Sequence, residues 1–167
     1  MANVLLLIEN DFEDLEALYP YYRMQEAGHK VTVAGDKIDT YHSKHGYPLK
    51  SDKTPIDIKI SDFQCMIIPG GQAPDRMRIK PAMVRLVKDA VEKGLVVAAI
   101  CHAAQMLIEA EVVRGKKATC WPSVKTDLIN AGALYVDTSV VVDGKLVTSR
   151  QPADLPDFCR KILEALG

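Results

Sequence analysis

Short continuous apolar runs alternate along the chain with longer stretches in which apolar residues recur every three or four positions. The first pattern predicts strands buried on both faces and the second predicts helices covering them. Val4 to Ile8 is the first run, stopped by polar residues. From Phe12 to Ala27 the residues Phe12, Leu15, Leu18, Tyr19, Tyr22 and Ala27 follow helical spacing, and Gly28 stands where a C-terminal cap belongs. Val31 to Ala34 predicts the next strand. The polar, proline-punctuated segment from Asp36 to Ser61 predicts only short strands near 39–42 and 47–49. Cys65 to Ile68 is a strand ended by Pro69-Gly70-Gly71, Pro81 to Glu92 a helix closed by Gly94, and Leu95 to Ile100 a strand. A helix over 102–110, a strand over 118–120 and a helix over 123–131 follow. Val140–Val142 and Lys145–Val147 flank Asp143-Gly144, a two-residue hairpin signal, before a final helix over 155–166.

This alternation predicts an α/β sandwich with a mainly parallel sheet and helices on both faces. Sites in such folds lie beyond the carboxyl ends of the strands. Three predicted strand ends carry chemistry: the acidic cluster around Glu13, the Pro69-Gly70-Gly71 turn, and Cys101-His102. If those strands are neighbours, the three groups meet.

Cys101 falls between a buried strand and a helix, with Ala99 and Ala103 two places to either side, a pattern like a nucleophile elbow with cysteine in place of serine. A helix N-terminus favours thiolate, although inert buried cysteines are common. His102 can act as general base or as the imidazolium partner of a thiolate. No histidine follows His102, which argues against a glutamine amidotransferase that draws its histidine from the C-terminal third. Glu9, Asp11, Glu13, Asp14 and Glu16 complement a helix N-terminus, with Asn10 and Glu13 at capping-box spacing. The same cluster repels phosphate, and no glycine-rich phosphate loop follows a strand, so nucleotide cofactors are disfavoured and none is expected. Of these acids Glu13 is the candidate for acid–base chemistry beside Cys101, where a carboxyl tends to keep its proton. Gly70 and Gly71 let backbone N–H groups approach a ligand as an oxyanion hole. His42-Ser43-Lys44-His45 lacks a third metal ligand and reads as a solvated loop, so no metal is expected.

Length and composition narrow the classes. A chain of 167 residues with 48% apolar and 26% charged residues is expected to form one soluble globular domain spanning 1–167. Twenty-one basic against 22 acidic residues give a net charge of -1, so nucleic acid is not an expected partner. The opening apolar run is too short for a membrane span or a signal peptide, which points to the cytoplasm and to no membrane partner. Cys65, Cys101, Cys120 and Cys159 form no Cys-x-x-Cys pair and are expected as free thiols.

Taken together the motifs resemble the PfpI family of intracellular cysteine peptidases, within the ThiJ/PfpI superfamily. The likeness runs through essentially the whole chain. It rests on Asn10-Asp11-Phe12-Glu13-Asp14, on Pro69-Gly70-Gly71-Gln72-Ala73-Pro74-Asp75-Arg76, on Ala99-Ile100-Cys101-His102, and on Thr148-Ser149-Arg150-Gln151-Pro152-Ala153-Asp154-Leu155-Pro156. The resemblance implies a flavodoxin-like three-layer sandwich with a mainly parallel central sheet and a nucleophile elbow. It implies Cys101 as nucleophile, Glu13 hydrogen-bonded to its sulfur, and His102 beside it. It also implies an acid at Asp75 contributed across a subunit interface, hence homo-oligomers, dimers or hexamers. Ala103-Ala104 stand where the family usually has Gly-Pro, and Asp75 where close relatives commonly carry glutamate. Trp121 matches an aromatic close to the site, and Arg150 is expected to fix the closing segment or a subunit contact.

The leading expectation is a cofactor-free cysteine hydrolase acting on peptides or related amides. Cys101 attacks, His102 shuttles the proton, Asp75 orients His102, and the backbone at Gly71 and Ala103 holds the oxyanion. The rival is a glutathione-independent glyoxalase or deglycase acting on a small carbonyl such as methylglyoxal and its adducts, with Glu13 moving a proton between adjacent carbons. A third expectation, from a different class, is a redox sensor or holdase through oxidation of Cys101.

Overall fold

The computed structural model describes residues 1–167. In chain order the strands are β1 (Asn3–Leu7), β2 (Lys30–Ala34), β3 (Thr40–His42), β4 (Pro48–Lys50), β5 (Cys65–Ile68), β6 (Val96–Ile100), β7 (Lys117–Ala118), β8 (Leu134–Tyr135), β9 (Val141–Asp143) and β10 (Leu146–Ser149). The helices are α1 (Asp14–Glu26), α2 (Ala73–Met77), α3 (Pro81–Glu92), α4 (Ala104–Glu109), α5 (Lys125–Asn130) and α6 (Leu155–Leu166). Six strands form the central sheet in the order β2-β1-β5-β6-β10-β9, parallel throughout except for the last pair. The continuous apolar runs sit in its middle. β1, β5 and β6 are buried along nearly their whole length, because α1 and α6 cover one face and α3 and α4 the other. The result is the α/β sandwich expected from the alternation, of the flavodoxin-like kind that the resemblance implies.

The Asp143-Gly144 hairpin forms as its sequence predicts, with Gly144 at φ 59. Its second strand, β10, also pairs parallel with β6, which leaves β9 as the edge. Two predicted elements shrink. The strand expected over 118–120 is the two-residue β7, paired with β8 in a separate small sheet, and the helix expected from His102 starts as a 3₁₀ turn over Cys101–Ala103. The short helix α2 after Gly71-Gln72 has no counterpart in the apolar spacing.

The largest difference lies in α1. The apolar residues whose spacing marks this helix are not its inward face: Leu15, Tyr19 and Tyr22 are exposed, and the buried positions are Glu16, Ala17, Pro20 and Met24. A carboxyl therefore points into the protein at the first turn, where the outward aromatic stripe had suggested none.

Candidate active site

β1, β5 and β6 are adjacent and parallel, so their carboxyl ends deliver three loops to one place. The loop after β1 leads into α1, the loop after β5 carries Gly70-Gly71, and β6 runs directly into Cys101. Cys101 adopts φ 63, a left-handed conformation that costs a non-glycine residue about 1–2 kcal/mol. This sharp turn is the elbow, and it lifts the sulfur off the end of the sheet into a cleft of about 930 Å³. Asp11, Glu13, Lys44, Asp75, Gln105 and Trp121 are among the other residues that line it.

Glu16 is the carboxyl at the sulfur. Its side chain is fully buried, its Oε2 accepts a hydrogen bond from Gly70 N–H at 2.8 Å, and the rest of the carboxyl faces the Cys101 thiol. Oε1 is buried with no hydrogen-bond partner. Burial pushes the Glu16 pKa up to about 8 against the pull of the Gly70 N–H, so at neutral pH the carboxyl keeps its proton and can donate it to the sulfur. Burial, followed by the charge of Glu16, also pushes the Cys101 thiol upward, while the His102 and Gly71 N–H groups pull it down by hydrogen-bonding the sulfur. The two acids repel each other when both are ionised, so loss of one proton makes the pair hold the other more tightly.

Glu13, expected at the sulfur from the resemblance, stands elsewhere. It is the N-cap of α1, one helical turn nearer the mouth, and its Oε2 pairs with Lys44 Nζ at 3.0 Å. The inward rotation of α1 gives the sulfur to Glu16 instead. The 42–45 loop, expected to be solvated, is likewise part of the site. Ser43 is buried and hydrogen-bonds Asp14, His45 Nδ1 meets Asp14 Oδ2 at 2.8 Å, and Lys44 is thereby set over the cleft.

The Gly71 and His102 N–H groups converge on the sulfur, in reach of a carbonyl oxygen brought to it. Ala103, expected as the second donor, is fully buried in the turn that starts α4. In an elbow the residue directly after the nucleophile supplies this N–H, which explains the shift by one place. Both glycines are demanded by contact. A Cβ on Gly70 would run into the Glu16 carboxyl and lie 2.8 Å from Cys101 Cβ. Gly71, at φ 80, would place one 2.5 Å from Asp11 O and Glu13 N. Gly71→Ala is expected to destabilise the protein by about 1–3 kcal/mol and to lower Tm, as a thermal melt would show.

His102 is held on two edges and a face. Nδ1 lies 3.2 Å from Cys101 Sγ, Nε2 lies 3.4 Å from Ser123 Oγ, and the ring stacks on Trp121 with centroids 6.1 Å apart and planes at 26°. Burial and then the Lys44 charge lower its pKa, with Asp75 opposing, so the ring is neutral at neutral pH. Asp75, expected to orient His102, lies in the same cleft but makes no hydrogen bond to it within the chain. Trp121 walls the pocket and ties back to the elbow by donating its N–H to Cys101 O at 3.2 Å. Arg150 closes the far side, gripping Asp154 with Nε and Nη2 at 3.0 and 3.1 Å and Asp137 at 2.9 Å. That grip sets the 150–154 segment, whose Pro152 lines the cleft. No helix is long and apolar enough to cross a membrane.

The family model for the DJ-1/PfpI family matches residues 2–165. The chain belongs to the DJ-1/PfpI family. Relatives within it carry different activities in their names. "Deglycase PH1704" of Pyrococcus horikoshii is 44% identical over 163 residues, covering 98% of each chain. The candidate cysteine protease YraA of Bacillus subtilis is 40% identical over 167 residues, covering 98% of this chain and 97% of that one. Among solved structures, a two-domain protein of Anabaena variabilis with DJ-1/ThiJ/PfpI-like and ferritin-like domains superposes with a TM-score of 0.98 at 43% identity. All of this chain and 48% of that one are covered. The DJ-1/PfpI fold thus accounts for the whole chain, and the choice among activities rests on the site.

Glu16 also makes the fold pH-sensitive. Its pKa is about 8 in the folded protein against a usual 4.5, so between those values the folded state binds the extra proton. Stability is full below about 4.5 and is lost as pH rises toward about 8. Denaturant titrations across this range are expected to show that decline in the wild type and a flatter profile in Glu16→Gln.

Proposed function

We propose that the protein is a cysteine-dependent, glutathione-independent glyoxalase or deglycase acting on 2-oxoaldehydes and their adducts. The observation that carries this is the protonated, buried Glu16 carboxyl against Cys101. Rearranging a 2-oxoaldehyde into a 2-hydroxy acid requires a group that takes a proton from one carbon and returns it to the next, and a carboxyl titrating near neutrality suits that task. The deglycase name of the 44% identical relative agrees with it.

In this mechanism the Cys101 thiol gives its proton to His102 Nδ1, its sulfur adds to the aldehyde carbon, and the alkoxide takes the Glu16 proton while the Gly71 and His102 N–H groups steady the developing charge. The Glu16 carboxylate then removes the proton on that carbon, the C–H electron pair becomes the C=C double bond, and the ketone π pair takes the proton held by His102 onto the second oxygen, giving an enediol. Glu16 returns the proton to the second carbon as His102, neutral again, takes the hydroxyl proton of the first oxygen. The product is a thioester of a 2-hydroxy acid on Cys101. Water hydrolyses it; the leaving sulfur regains its proton from His102 and Glu16 takes that of the acid, releasing lactate when the substrate is methylglyoxal.

Peptide hydrolysis is the second reading, favoured by the oxyanion donors, by the Cys101–His102 contact and by the protease name of YraA. It stands lower because His102 Nε2 meets a hydroxyl and no carboxylate within the chain, so the imidazolium needed to protonate a leaving amine lacks a counter-charge at hydrogen-bonding distance. Lactate measured from methylglyoxal without glutathione tests the assignment. Steady turnover is expected; peptide cleavage with no lactate would reverse the order of the two readings.

The exposed Leu15, Tyr19 and Tyr22 on α1, with exposed Tyr47 nearby, support the homo-oligomer that the resemblance implies. Sedimentation velocity is expected to give a multiple of the 18.4 kDa chain mass, and Tyr22→Glu to shift the distribution toward monomer.

A further inference from the structure

Lys44 is the one lysine or arginine among the residues that line the cleft, where it meets four carboxyls, those of Asp11, Glu13, Glu16 and Asp75. Its backbone is pinned. Phe12 is fully buried and bridges Ser43 on one side and Gly71 on the other, and Lys44 N–H donates to Phe12 O at 3.0 Å. The lysine thus starts two strand spacings, about 10 Å, from the Gly71 whose N–H faces the sulfur. Asp14 locks the loop by accepting from Ser43 Oγ and meeting His45 Nδ1 at 2.8 Å. This anchoring of a half-exposed lysine on a buried frame has no use in the fold that its aliphatic stem would explain.

The charged groups around it sort by partner. Asp11 is taken by Arg76 and Asp14 by His45, while Glu13 Oε2 meets Lys44 Nζ at 3.0 Å. Glu16 keeps its proton at neutral pH, His102 is neutral, and Asp75 has no hydrogen bond to the ring within the chain. The Lys44 charge acts on the reacting groups across the cleft: after burial it is what lowers the His102 pKa, and it works against the burial that raises Glu16. Lys44 is itself held charged by Glu13 first and by Cys101 after it. Negative charge that develops on the sulfur therefore meets one full positive charge, and Glu13 shares it.

We propose that Lys44 is an electrostatic positioning residue of the elbow, an ammonium held over the cleft that offsets negative charge on the Cys101 sulfur, with Glu13 as its damper. The inference rests on the reading of Cys101 as the reacting sulfur and adds to it a residue from outside the motifs that carry the family resemblance. It also gives Glu13 a task away from the sulfur. Removing Lys44 and removing Glu13 then act in opposite directions, which neither a packing role nor a simple entrance role predicts.

The test needs no substrate. Cys101 is alkylated at pH 7 by iodoacetamide, which is neutral, and by iodoacetate, an anion, with mass spectrometry locating the label. The iodoacetamide rate follows the thiolate fraction; the ratio of the two rates cancels that fraction and reads the field met by an incoming negative charge. Lys44→Met is expected to slow iodoacetamide by about 5-fold and to lower the iodoacetate-to-iodoacetamide ratio by about 3-fold, whereas Lys44→Arg stays within about twofold of wild type on both. Glu13→Gln is expected to raise both by about 3-fold. Wild-type rate and ratio in Lys44→Met overturn the proposal, as does a Lys44→Arg that behaves like Lys44→Met, or a Glu13→Gln that slows alkylation. Labelling of Cys65, Cys120 or Cys159 ahead of Cys101 in the wild type takes down the reacting-sulfur reading and the inference with it. The expected shifts without any lactate from methylglyoxal overturn the glyoxalase reading alone.

Discussion

Cys101→Ala is expected to reduce lactate formation from methylglyoxal by more than about 10³-fold at matched concentration, without loss of fold. The sulfur is the group in the cleft placed to form the covalent intermediate, with two backbone N–H groups converging on it and a proton-holding carboxyl alongside. The other three cysteines, Cys65, Cys120 and Cys159, are buried at or below 1% exposure and cannot stand in for it. Alanine keeps the strained left-handed backbone that Cys101 holds at φ 63, so Cys101→Gly should be equally inactive yet more stable than Cys101→Ala. Turnover that survives in Cys101→Ala would place the chemistry outside the elbow.

The second large effect separates two acids that lie one helical turn apart. Glu16→Gln is expected to lower kcat by about 10²–10⁴-fold, because an amide keeps the shape and the Gly70 hydrogen bond but cannot pass a proton between carbons. Glu13→Gln removes the partner of Lys44 at the mouth of the cleft and is expected to change KM more than kcat. Steady-state kinetics of both variants, with circular dichroism to check the fold, decide the matter; a kcat collapse in Glu13→Gln with an active Glu16→Gln would overturn the assignment. Glu16→Gln should also gain stability relative to wild type at alkaline pH, since it removes a buried carboxyl that becomes charged above about 8. A variant that loses activity and gains stability is the signature of a group retained for its chemistry.

Much of the site could be read from local pattern. Cys101 was legible because a buried strand meeting a helix through small residues has to turn sharply there. Gly70-Gly71 was legible because consecutive glycines after a strand signal close backbone approach, and the structure shows Cβ atoms at both would collide. The N–H of His102 was not read as a donor to the sulfur, because that depends on how the turn bends after Cys101. Lys44 was passed over because its neighbours look like solvent-facing polar residues. Its place over the cleft depends on Ser43 and His45 hydrogen-bonding Asp14 across 29 and 31 residues of chain.

Glu16 is the instructive miss. Leu15, Tyr19 and Tyr22 make the more conspicuous stripe, yet Glu16, Ala17, Pro20 and Met24 face the sheet. A small residue one place on, a proline four on and a methionine eight on were the available signal, and it is faint beside three aromatic or aliphatic neighbours.

By itself, then, the sequence determined what depends on neighbours along the chain: which segments are strands, that the sheet is mainly parallel, where the elbow lies, and which glycines it needs. These follow from spacing and from backbone sterics, which act over a few residues. Only the tertiary structure decided which carboxyl meets the sulfur, which loop enters the cleft, and that a hydroxyl stands at Nε2 of His102. Those depend on how α1 rotates against the sheet and on contacts between residues far apart in the chain, and its burial raises the Glu16 pKa to about 8 only once that packing has removed water.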